Sequence, residues 1–160
     1  MTAESSSKEP VEIFYSYSHK DEDLRDELQT HLEILKRDGV ITHWHDRRIG
    51  AGTEWKGAID KHLESARIIL LLVSANFIAS DYCYDIEMKR AMERHKAGEA
   101  RVIPVILRDV NWHRASFAKL QPLPTDGKAV TSRVWANHDE AFKNISIGIE
   151  KAIEELAANP

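Results

Sequence analysis

Six consecutive branched aliphatic residues, Ile68–Val73, occur with no polar alternation. As a strand, such a run must be covered on both faces, which is the pattern of a central strand in a parallel sheet. Ser74-Ala-Asn76 ends the run, and a helical pattern follows through Tyr82 and Ile86. The turn between them falls at the carboxyl end of a central strand, where open α/β sheets hold their ligands. Just inside the following helix lies Glu87, a carboxylate with Tyr82, Cys83, Tyr84 and Ile86 for neighbours. It is the candidate chemical centre of the chain.

A chain of 160 residues with 42% hydrophobic and 30% charged content fits one globular domain with a core of its own. The aliphatic run is far shorter than the ~20 residues of a membrane helix, so no membrane partner is expected. Residues 1–10 are polar, lack the apolar segment of a secretory leader, and read as a disordered leader ahead of a single domain over 11–157. A single cysteine forms no internal disulfide, in keeping with a cytoplasmic protein. The formal net charge of -4 gives no footing for nucleic acid.

Val11–Tyr17 reads as the first strand and Val40–Trp44 as a shorter second one. Between them, Leu24, Leu28, Leu32 and Leu35 recur at near-helical spacing, with Ser18 or Asp21 as the cap and Gly39 as the stop. The loop from His45 is followed by a short helix with Trp55, Ile59 and Leu63 at intervals of four. The helix after the central strand is expected from Ser80 or Asp81 to Lys96, with Gly98 as its stop. Arg101–Leu107 is a fourth strand in which Pro104 favours an edge or a bulge, and Ala129-Val130 suggests a brief fifth. Phe142, Ile145, Ile149, Ile153 and Leu156 form the apolar face of a last helix capped by Asn137 or Asp139. Alternating strands and helices predict an α/β fold with a parallel sheet of about five strands and helices on both faces.

Several chemistries are excluded by pattern. The chain has no GxGxxG or GxxxxGK[ST] phosphate loop, no GxSxG elbow, and no histidine or cysteine spacing of a metal site. No cofactor or metal is expected. A phosphorylatable receiver needs acidic residues after its first and third strands, whereas these end in Ser16-Tyr-Ser-His19 and Val73-Ser-Ala-Asn76.

The ordered set Ile13–Ser18 with Lys20-Asp21, Trp44-His-Asp46, the glycine-bearing loop 47–55, Ile69–Ser74, Ser80–Glu87 and Arg101–Leu107 resembles the TIR domain family, bacterial type. The resemblance implies a flavodoxin-like three-layer sandwich. It also implies one of two functions. Some members are non-enzymatic modules that pair TIR with TIR through the loop after the second strand. Others cleave NAD+ at the nicotinamide–ribose bond, giving nicotinamide and ADP-ribose or a cyclic isomer. In those, the key residue is a glutamate matched here by Glu87. Bacterial members further imply anti-phage defence, self-assembly of TIR copies and a fused or associated sensor domain, so the chain reads either as complete or as one domain of a longer protein.

Glu87 suits the enzymatic reading, because nicotinamide loss builds oxocarbenium character that a carboxylate stabilises without a metal. NAD+ is then substrate rather than cofactor. Phe14, Tyr15, Ser16, Tyr17 and Ser18 end the first strand and are expected to rim the cleft, although strand alternation assigns about half of them to the core. Asp46, Arg47 and Arg48 open the loop after the second strand, where the arginines suit a pyrophosphate and Ile49 suits a contact with another TIR copy. Many enzymatic relatives have an aromatic four residues before the glutamate; here Cys83 stands there, flanked by Tyr82 and Tyr84, either of which offers a stacking surface. Cys83 itself reads as a buried filler.

Overall fold

The structure, a computed structural model, describes residues 9–44 and 61–158, with the backbone alone for 43 and 44. The first strand, β1 (Val11–Ser16), leads through a 3₁₀ turn (His19–Asp21) into α1 (Glu22–His31) and α2 (Glu33–Arg37). After β2 (Ile41–Trp44) come α3 (Lys61–Ser65) and β3 (Ile68–Val73). A short α4 (Ala75–Ala79), a π-helix (Asp81–Met88) and α5 (Lys89–Lys96) connect β3 to β4 (Arg101–Ile106). Two further 3₁₀ turns, Ser116–Lys119 and Thr125–Gly127, precede α6 (His138–Ala158).

All pairings are parallel, in the order β2-β1-β3-β4. Every residue of β3 is fully buried, which is what its unbroken aliphatic run requires. Successive side chains alternate between two cores. Ile68, Leu70 and Leu72 join Ile13 and Tyr15 under α1 and α6, where Leu24, Leu28, Ile145 and Ile149 complete the packing. Ile69, Leu71 and Val73 join Phe14 on the opposite face, against Leu63 of α3, Phe77 of α4, Met88 and Ala91. This is the three-layer arrangement expected of a flavodoxin-like fold.

Among the described residues the sheet has four strands rather than about five. Val130 N donates to Ile106 O at 3.0 Å and Thr131 N to Leu107 O at 3.2 Å, so this segment flanks the end of β4 without extending into a strand. The edge of β4 is covered in another way. Val102 N donates to His95 Nδ1, Pro104 has no N–H to leave unpaired, and Ile106 N donates to Leu123 O. Pro104 O accepts from Leu123 N on that same outer side, so its ring nitrogen faces away from β3 and breaks no rung.

Gly39 and Gly98 end α2 and α5 at φ +73 and +77, a backbone region that a Cβ disfavours. Asn137 caps α6 by accepting from Glu140 N at 2.9 Å. The helix expected from Ser80 is preceded by a separate five-residue turn, and its first half is π rather than α. Trp55, Ile59 and the leader over residues 1–8 lie outside the described residues. No helix among the described residues is long and apolar enough to cross a membrane.

Candidate functional site

The strand order reverses its direction of growth between β1 and β3, which opens a crevice at their carboxyl ends. Ser16 is the last residue of β1 and is fully buried. Its hydroxyl donates to Glu87 Oε1 at 2.7 Å. Glu87, 1% exposed, comes from the π-helix that follows β3. Ser80 caps this helix by accepting from Cys83 N at 3.2 Å, and the wider π turn brings Cys83, Glu87 and Met88 together onto the buried face. Single π turns inside helices occur frequently at functional sites.

Cys83 is also enclosed, and its thiol donates to Tyr17 O at 3.3 Å. The π-helix is thereby tied to the end of β1 at two neighbouring residues, through Ser16 and through the Tyr17 backbone. Tyr82 and Tyr84 are half-buried, and Tyr84 packs against the core on this face.

Of the other residues expected at the cleft, Phe14 and Tyr15 are core residues at 1% and 0% exposure, on opposite faces of the sheet. Burial, against the opposing pull of Arg25 and with the push of Glu33, raises the Tyr15 hydroxyl well above its ordinary pKa, so it stays neutral. Tyr17 is buried with the Arg25 guanidinium 5.0 Å from its ring centroid. Ser18 caps the 3₁₀ turn by accepting from Lys20 N. Asp46, Arg47, Arg48 and Ile49 lie outside the described residues.

The sequence reading missed a second buried carboxylate at the same edge. Asp21 makes no side-chain cap to α1 and has no exposed surface. It accepts from the Ser74 hydroxyl, from Arg108 Nε at 2.8 Å and from Asn76 Nδ2 at 3.4 Å. A signal for it existed. Asp21, Ser74 and Arg108 each stand a few residues past a strand, and a parallel sheet gathers all such positions at one edge.

A family model described as TIR domain matches residues 13–145. The chain belongs to the TIR domain family. This TIR domain is 59% identical over 145 residues to a Sinorhizobium fredii protein called uncharacterized protein y4lF, a match covering 91% of this chain and 43% of that protein. It is 28% identical over 164 residues to TMV resistance protein N of Nicotiana glutinosa, covering 98% of this chain and 13% of the other. The TIR domain thus spans less than half the length of either relative. The TIR domains in the structure of the activated Roq1 resistosome directly recognizing the pathogen effector XopQ superpose with a TM-score of 0.46 at 23% identity, over 92% of this chain and 84% of theirs.

Proposed function

We propose that this TIR domain is an NAD+ glycohydrolase in which Glu87 acts on the nicotinamide ribose. The observation that carries the reading is the Ser16–Glu87 hydrogen bond, 2.7 Å long and enclosed at the switch point of the sheet. A carboxylate fixed in orientation and shielded from water is worth most against a developing positive charge. In the reaction the C1′–N bond breaks, nicotinamide departs with the electron pair, and the ribosyl cation is captured by water or by a nucleophile of the same molecule. Water gives ADP-ribose; internal capture gives a cyclic isomer.

Glu87 at 1% exposure has almost no surface to offer a ribose. That supports a resting state which opens when TIR copies assemble, under the control of a fused or associated sensor. Likeness to a plant virus resistance protein supports a place in defence, and for a bacterial domain this means anti-phage defence in the cytoplasm. The same enclosure also favours a second reading, a non-enzymatic TIR–TIR interaction module, because a carboxylate that is never uncovered does no chemistry.

Nicotinamide release from NAD+ separates the two, measured on concentrated and on artificially clustered protein with products identified. Release by wild type and not by Glu87→Ala is the expected result. Assemblies that form while leaving NAD+ intact would establish the module.

A further inference from the structure

Asp21 ties three strand ends together. It lies just past β1, Ser74 just past β3 and Arg108 just past β4. The carboxylate has no exposed surface, whereas the Arg108 side chain is 46% exposed. Arg108 is held through Nε alone, at 2.8 Å, and neither terminal nitrogen has a partner among the described residues. A guanidinium gripped at Nε keeps its two-pronged end free, the edge that matches a pair of phosphate oxygens.

We propose that Arg108 is a phosphate-binding residue of this TIR domain and that Asp21 is its positioning residue. The choice of ligand, the pyrophosphate of a dinucleotide, rests on the NAD+ reading above. Three points carry the assignment. Desolvating a carboxylate consumes most of what an ion pair returns in stability, so the main product of the Asp21–Arg108 pair is a fixed orientation. Fixing the fork beforehand removes rotamer entropy that a free arginine would lose on binding. A chain of net charge -4 attracts anions poorly in general, so a phosphate needs a dedicated cation.

Placement agrees. Arg108 crosses the end of β3 to reach a residue beyond β1, at the edge where Ser16 meets Glu87. The pyrophosphate of NAD+ is separated from the scissile bond by the ribose, so its contact belongs at this edge but away from the Glu87 carboxylate, which would repel it.

The test is calorimetric binding of ADP-ribose to the full chain, artificially clustered so that the site is open, with adenosine as a phosphate-free control. Arg108→Gln is expected to weaken ADP-ribose binding by about tenfold or more and to leave adenosine binding unchanged. Arg108→Lys keeps the charge but loses the Nε anchor, and should recover only part of the affinity. Asp21→Asn, with Arg108 intact, should give an intermediate loss. Melting curves for each variant separate a lost contact from a lost fold. Equal ADP-ribose affinity in wild type and Arg108→Gln would overturn the assignment, as would full recovery by Arg108→Lys, or no ADP-ribose binding by wild type. The readout needs no turnover. A chain that binds ADP-ribose through Arg108 yet releases no nicotinamide would defeat the glycohydrolase reading alone; release that ignores Arg108 would defeat this one alone.

Discussion

Ser16 Oγ donates to Glu87 Oε1 at 2.7 Å across 71 positions of sequence, and both side chains are buried. The bond joins the end of a strand to the inside of a π-helix, so the orientation of the carboxylate is set by the sheet. Removing the donor tests whether that orientation matters.

Ser16→Ala leaves a buried acceptor without this partner, which should lower stability by about 1–3 kcal/mol. If the bond aims Glu87, nicotinamide release should also fall by about 10-fold to 100-fold in kcat, with KM little changed. Thermal melting and steady-state kinetics on one preparation check both. A loss of stability with unaltered kcat would make Ser16 a packing residue only.

Cys83 stands four residues before Glu87 with its thiol on Tyr17 O. Enclosed at 1% exposure, it lacks the accessibility that a reactive thiolate needs. Cys83→Ser retains a donor at this position and should leave nicotinamide release within about threefold of wild type, at a stability cost of about 1 kcal/mol. Alkylating reagents should label the folded chain slowly and label it fast in denaturant. Activity abolished by Cys83→Ser in a protein of normal melting temperature would assign the thiol a chemical role.

His95 accepts Val102 N–H on Nδ1 at 3.1 Å, which requires a neutral ring. Burial, then the charges of Arg101 and Lys119, hold its pKa below the ordinary 6.5. The folded state therefore takes up the proton less readily than the unfolded chain. The stability that His95 contributes is complete above 6.5 and is lost as pH falls from there through the lower folded value. Asn in this place can accept the same bond without titrating. Melting temperatures between about pH 8 and pH 5 should fall more steeply for wild type than for His95→Asn. Parallel profiles would remove His95 from the account of the β4 edge.

Much of this is legible in the sequence. The span of β3 could be read to the residue, because six aliphatics without alternation admit few alternatives. Pro104 points to an edge or a bulge, and among the described strands the sheet puts it on an edge. The helix after β3 was harder. Phe77 alone gives α4 no periodicity, and eight residues are too few to distinguish a π turn from an α turn, so an α-helical pattern gives the apolar stripe as Tyr82, Ile86, Met88, Ala91 and Met92; the enclosed residues are Cys83, the expected filler, with Glu87, Met88 and Ala91. Asp21 reads, beside Ser18, as one of two candidate helix caps, because an aspartate before a leucine-patterned helix normally is one. Its partners Ser74 and Arg108 are 53 and 87 positions away, and no local pattern joins them. Tyr15 and Phe14 sit in a stretch that resembles the TIR family, yet alternation sends them to opposite cores. Family motifs mark which stretch matters; strand parity decides which of its side chains face a ligand.

The central claim is that the enclosed Glu87 carboxylate acts on NAD+, and the isosteric Glu87→Gln tests it most directly. Gln keeps the shape and can still accept from Ser16, so the fold and the melting temperature should survive. On clustered protein, the account predicts that wild type releases nicotinamide and that Glu87→Gln does so at least about 100-fold more slowly, the scale of a lost charge-stabilising group. Equal rates in the two proteins, or clustered wild type that leaves NAD+ untouched, would contradict it.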